Sequence, residues 1–174
     1  MRVIKLIWNG IHVIQKRLYC KLNSIKYAKV LGVKVGNGTV FYGPRAEMFS
    51  TEPWLITIGR NCHITAGVTF CTHDGGTLSV RNKCGPFVIV GNIIYIGIKN
   101  LTLPSVHIGD NAIIGAGSIV TKDIPDNCVA TGLPCRVIES RDKYIDKVNR
   151  VRAGLDDRYY SDLDYMHSLN PNDH

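Results

Sequence analysis

The 174-residue sequence has no apolar run of the roughly 18–20 residues that a helix needs to span a bilayer. Its N-terminus does not read as a cleaved signal either, because Met1-Arg2-Val3-Ile4-Lys5 puts charge inside the would-be apolar stretch. The six cysteines (Cys20, Cys62, Cys71, Cys84, Cys128 and Cys135) form no C-x-x-C pair. At this size that argues against a disulfide framework and for a reduced, cytoplasmic setting in which each thiol is a small buried hydrophobe. Acidic residues are missing from the first 46 positions, the first being Glu47. Before Leu31 stand seven basic residues and no acid, whereas the remainder carries 14 of each sign. The formal charge of +7 is therefore local, and no nucleic-acid partner is expected.

What is present begins with residues 2–30, where Val3, Ile4, Ile7, Ile11, Ile14 and Leu18 recur at three- and four-residue steps with basic residues between them. This predicts a basic amphipathic helix, which Asn9-Gly10 can divide. Two readings stay open: a peripheral contact with anionic lipid, or a helix packed on the body of the protein or on a neighbouring subunit.

From residue 31 the pattern changes. Every sixth position from Val90 gives Val90, Ile96, Thr102, Ile108, Ile114 and Val120, all β-branched, with glycine following at 91, 97, 109 and 115. A strand repeats every two residues and a helix every 3.6, so a strict period of six fits neither alone. It fits an all-β solenoid in which each hexad is one side of a coil and the aliphatic points inward. Earlier hexads occur at Val35, Ile58, Ile64 and Phe70, with a slip in register between Pro44 and Trp54. Phe70 to Val90 is not a multiple of six, so a loop, 72–86, is inserted there, and excursions of this kind tend to lie on the binding face. The expected organisation is an N-terminal helical segment (1–30), a hexapeptide-repeat body (31–138) and a C-terminal helix with a polar tail (139–174). Ser140 is placed to cap that helix, which is expected to cover the open end of the solenoid.

Three adjoining pieces carry a resemblance. They are Gly91-Asn92-Ile93-Ile94-Tyr95-Ile96-Gly97 leading to Ile108-Gly109-Asp110-Asn111-Ala112, then Ile114 to Pro125, then Gly132-Leu133-Pro134-Cys135-Arg136-Val137-Ile138. Together they resemble the hexapeptide-repeat acyltransferases, in the galactoside, maltose and xenobiotic acetyltransferase branch. The resemblance implies a left-handed parallel β-helix, a homotrimer with sites between subunits, acetyl-CoA as donor, and a hydroxyl or amine as acceptor. No metal is expected.

By the same resemblance His73 is the general base, and Gly97, Ala116, Thr121, Lys122 and Arg136 line the donor site. Charge pairing with phosphate gives Lys122 and Arg136 a physical reason to be there. Asp74, Arg81 and Tyr95 are the candidate acceptor contacts. Asp74 is equally suited to a turn with Gly75-Gly76, so the group that orients His73 stays unassigned. Ile98 departs from the family, which often has a small residue there, as does Tyr95, where tryptophan is frequent. Among the other histidines only His63 is a candidate to approach the site. The acceptor expected is a sugar hydroxyl of a surface polysaccharide or its precursor at the inner membrane face. An amino sugar, a free galactoside or maltose, serine and an antibiotic are alternatives in the same class. A zinc hydratase resembling the γ-carbonic anhydrases would need three converging histidines, and His63, His73 and His107 lack the close pair such a site uses. A non-catalytic solenoid would need neither His73 nor the inserted loop.

Overall fold

A computed structural model of the chain describes residues 24–43, 47–73 and 87–152. Most of the N-terminal segment, most of the inserted loop (with Asp74 and Arg81) and the tail after residue 152 lie outside the described residues.

Three sheets of very short strands form the body. The first contains β1 (Lys34–Val35), β3 (Ile56–Ile58), β6 (Val88–Val90) and β9 (His107–Ile108). The second contains β2 (Val40–Phe41), β4 (His63–Ile64), β7 (Tyr95–Ile96), β10 (Ile113–Ile114), β12 (Cys128–Thr131) and β13 (Arg136–Ser140). The third contains β5 (Thr69–Phe70), β8 (Leu101–Thr102) and β11 (Ile119–Val120), and a bridge from Phe49 to Phe70 extends it. From β3 to β11 the chain enters the three sheets in strict rotation, which is the connectivity of a coil with three faces. All pairings up to β12 are parallel.

The register explains the period of six. Val90 pairs with Ile108, Ile96 with Ile114 and Thr102 with Val120, each eighteen residues apart, or three hexads per turn. One turn earlier Ile58 pairs with Val90, Ile64 with Ile96 and Phe70 with Thr102, each thirty-two apart. The surplus of fourteen falls between β5 and β6, where the sequence places its insertion.

Each rung buries two side chains. Val90, Ile96, Thr102, Ile108, Ile114 and Val120 are at most 1% exposed, and Ile94, Val106, Ala112 and Ser118, two residues earlier, are also inside. Most are apolar, and the large ones interlock into one continuous core. Two polar atoms in this column have no protein partner among the described residues, Thr102 Oγ1 and Asn100 Oδ1. The corners hold the rungs in register by side chains. Asn92 Oδ1 accepts the Arg60 N–H (3.0 Å), Asp110 Oδ1 the Asn92 N–H (2.7 Å), and Asp126 Oδ1 the Asp110 N–H (2.7 Å). The Asn92 N–H, helped by the Asn92 side-chain amide, holds the Asp110 carboxyl below its ordinary range. One residue on, each turn needs a left-handed backbone, supplied by Gly38, Asn61, Ile93, Asn111 and Asn127.

Two helices flank the body. α1 (Ser24–Val30) is described where the predicted N-terminal helix ends, and Tyr27 and Ala28 join the core. α2 (Arg141–Arg152) starts after Ser140, whose Oγ accepts the Lys143 N–H at 3.3 Å. The C-terminal end differs from expectation. After β12 the chain reverses, and β13 pairs antiparallel along it, occupying the edge of the second sheet that the helix was expected to cover. No α2 residue through Val151 is buried. A hydrophobic period of six carries no signal for this reversal, because Val137 and Ile138 on β13 are 48% and 59% exposed.

Candidate active site

The site builds from the corner between the third and first faces. β5 ends at Phe70, the Cys71 N–H bonds to the Thr102 carbonyl (2.9 Å), and Thr72 is buried. His73 follows at the last described position before the insertion. One rung below, the bridge from Phe49 to Phe70 sets the register, so the third residue after Phe49 lies beneath the third after Phe70. These are Glu52 and His73, and their side chains meet, with His73 Nδ1 2.9 Å from Glu52 Oε1.

Glu52 is itself held. Thr51 Oγ1 donates to its Oε2 at 2.7 Å. Its backbone carbonyl accepts the Leu55 N–H (3.1 Å), opening the single 3-10 turn Pro53–Leu55, and also the Thr72 hydroxyl (3.2 Å). A carboxylate only accepts, so in this contact Nδ1 is the donor. The His73 side chain is 36% exposed and that of Glu52 21%, so the imidazole is the more accessible of the two. This is the arrangement of a general base with an orienting acid. The sequence left that orienting group open. Glu52 lies 21 residues away, in the stretch where the hexad register slips, and only the stacking of turns brings it to His73.

The remaining candidates divide by edge. Thr121 and Lys122 follow β11 on the same edge as His73, two rungs along. Gly97 and Ala116 lie at the corner between the second and third faces. A Cβ on Gly97 would come within 2.6 Å of the Ala116 nitrogen, so the stacking of turns itself demands this glycine. Gly117 (φ 68°) faces open space, with nothing within 4 Å of a Cβ built there, so the backbone at that corner is accessible to a ligand. Ile98 is 50% exposed, and its carbonyl already accepts the Gly117 N–H (2.8 Å). Arg136 is on β13, with one guanidinium nitrogen donating to the Cys135 carbonyl (2.8 Å). Tyr95 projects from the second face, 45% exposed, between His63 and Ile113 in the ladder. Within one chain it is on a different face from the His73 corner. His63 likewise stays on the second face, where its Nδ1 is 2.9 Å from the Tyr42 hydroxyl and the two rings stack.

Burial pushes the thiols of Cys62, Cys128 and Cys135 up, which keeps them protonated and poorly nucleophilic.

Comparison with known proteins bears on the family and the fold. Residues 95–122 match the model of a family described as the hexapeptide repeat of succinyl-transferase. Protein CapG of Staphylococcus aureus is 38% identical over 142 residues, spanning 76% of this chain and 83% of CapG. The chain belongs to the hexapeptide-repeat acetyltransferases. Within that family, the galactoside O-acetyltransferase of Escherichia coli K12 is 39% identical over 120 residues, covering 65% of this chain and 59% of that enzyme. The crystal structure of the polySia specific acetyltransferase NeuO superposes with a TM-score of 0.54 at 28% identity, covering 63% of this chain and 52% of NeuO. The chain thus spans little more than half the length of either of those two acetyltransferases.

Proposed function

We propose that this protein is an acetyl-CoA-dependent O-acetyltransferase acting on a saccharide hydroxyl, with His73 as general base and Glu52 as the group that orients it. The observation that carries the reading is the 2.9 Å contact between His73 Nδ1 and Glu52 Oε1. With Nδ1 bonded to the carboxylate, Nε2 takes the acceptor's hydroxyl proton as its oxygen attacks the thioester carbonyl carbon. The tetrahedral oxyanion collapses, the carbon–sulfur bond breaks, and the imidazolium returns the proton to the departing CoA sulfur. Glu52 stabilises the imidazolium in between. Relatives that include a galactoside O-acetyltransferase and a polysialic-acid acetyltransferase support a sugar acceptor.

In this reading the body is a left-handed parallel β-helix and three copies form a closed ring. The split of candidates between two edges of the third face supports a site assembled between copies. Gly97 and Ala116 line the pantetheine, and Thr121, Lys122 and Arg136 take the polar and phosphate end. The open corner at Gly117 fits a backbone-hugging ligand. Tyr95, Asp74 and Arg81 are assigned to the acceptor. No helix among the described residues is long and apolar enough to cross a membrane. Within residues 1–30, the last turn, α1, packs on the body through Tyr27 and Ala28, and the basic stretch ahead of it suits either a neighbouring subunit or peripheral contact with anionic lipid at the inner face.

The test is CoA release, followed with a thiol reagent, from acetyl-CoA in the presence of a sugar panel that includes amino sugars. Acceptor-dependent release is expected, with a fall of about 10²–10⁴-fold in His73→Ala while the assembly and CoA binding persist. Retention of most activity in that variant sinks the base assignment, and release with amino sugars alone replaces O- by N-acetylation.

A further inference from the structure

The turn immediately above the candidate base is conformationally odd. Residues 88–105 adopt a left-handed backbone at all three corners, at Ile93 (φ 57°), Lys99 (φ 55°) and Ser105 (φ 63°). None of these is the glycine or asparagine that fills most such positions in the neighbouring turns. A left-handed backbone costs an L residue with a Cβ about 1–2 kcal/mol, and strain of this kind persists where a side chain is needed.

Of the three, Ser105 has a place that gives it a task. Phe49, Phe70 and Thr102 are successive inward residues of the third face, in register through the bridge and through the pairing of β5 with β8. The third residue after each forms one column on the edge, namely Glu52, His73 and Ser105. The Cys71 N–H bond to the Thr102 carbonyl (2.9 Å) carries the register up to this corner. Rungs are about 4.8 Å apart. His73 thus meets the Glu52 carboxylate on one side, and on the next rung the residue that corresponds to it in register is a serine. Ser105 is exposed, and among the described residues its hydroxyl has no hydrogen-bond partner. A glycine there would relieve the backbone and lose only the Cβ and that hydroxyl.

We propose that Ser105 is a specificity-determining contact for the acceptor, its hydroxyl hydrogen-bonding a sugar hydroxyl adjacent to the one that His73 deprotonates. The inference rests on the acetyl-transfer reading and adds an acceptor with at least two neighbouring hydroxyls. The hydrogen bond is reversible and involves no covalent change at Ser105.

The experiment is steady-state kinetics with acetyl-CoA and three probe acceptors, methyl galactoside, methyl glucoside and N-acetylglucosamine, for the native protein, Ser105→Gly and Ser105→Ala. Each variant lacks the hydroxyl, but only glycine is at ease in the left-handed backbone. Ser105→Gly is expected to melt at or above the native temperature, so a change in activity cannot come from unfolding. Both variants are expected to raise the KM for the best acceptor about three- to tenfold, the worth of one neutral hydrogen bond, with the KM for acetyl-CoA unchanged. A deoxy analogue of that acceptor, lacking the neighbouring hydroxyl, should show the same penalty with native protein and none with Ser105→Gly. An unchanged acceptor KM in Ser105→Gly, or a change confined to acetyl-CoA, overturns the assignment while leaving the acetyl-transfer reading intact. No CoA release from the native protein with any probe overturns that reading and this inference with it.

Discussion

The turns from Val88 to Ile124 and the corner from Ser50 to His73 follow opposite rules. In the first, the rungs repeat at eighteen residues up to Ile108, which pairs with Ile124 sixteen on, two inward side chains per hexad are buried, and Asn or Asp at one corner accepts the backbone N–H of the preceding turn. In the second, the spacing from Phe49 to Phe70 is 21 residues, a 3-10 turn interrupts the coil, and the hydrogen-bonded pair of Glu52 and His73 stands at the edge. Regularity supplies burial and a fixed rung spacing, whereas the break in the rule supplies chemistry. The even part is a ruler, and its constant rung spacing is what lets two residues from an uneven part meet at 2.9 Å.

The comparison breaks if a change on one side acts through the other. Glu52→Gln should lower kcat/KM for acetyl transfer by about a hundredfold or more, since the amide neither holds the imidazolium nor enforces the Nδ1–H tautomer. Its melting temperature should move little. A variant that loses stability as steeply as activity would show the corner to be a structural contact instead.

Ile114→Ala, in the middle of the even column, tests the reverse. It removes a fully buried side chain and should cost about 2–5 kcal/mol in denaturant unfolding. Activity per folded molecule should persist. A catalytic loss beyond the folded fraction would mean that the column and the base are coupled.

Smaller effects sharpen the picture of the even part. Thr102→Val keeps the shape of the inward column and deletes a buried hydroxyl that has no protein partner, so stability should rise by about 1 kcal/mol. A fall would show that the hydroxyl is satisfied in solution. Ile93→Asn replaces an exposed β-branched residue at φ 57° with the residue found at 61, 111 and 127. A gain of up to about 1 kcal/mol in unfolding free energy is expected. An unchanged value would place the strain relief elsewhere in that turn.

Much of the body was legible in advance for one reason: a residue every sixth position must face the same interior. Val90 through Val120 therefore reveal a coil with one hexad per side, and the break in register after Phe70 reveals the insertion. Thr102 reads as one more inward β-branched residue, and it is, but nothing in the period shows that its hydroxyl lacks a protein partner. β13 was invisible because an antiparallel return with Val137 and Ile138 exposed has no hexad signature. Glu52 was invisible because a lone glutamate after a threonine carries no pattern. Among the cofactor candidates, Gly97 was legible as a necessary glycine, but its tight approach to Ala116 gives it a packing reason independent of any ligand.

The sequence alone determines that this chain coils with one hexad per side, that the coil slips in register between Pro44 and Trp54 and takes an insertion over 72–86, and that its motifs resemble those of acyl transfer. Those properties are periodic or local, so each residue announces them by its neighbours. Which carboxylate meets His73, which serine shares its register on the next rung, and how the last sheet edge is closed were decided by tertiary structure. The physical reason is distance along the chain. Glu52, His73 and Ser105 are 21 and 32 residues apart, and only the stacking of turns, set by backbone hydrogen bonds that carry no side-chain signal, brings them into one column.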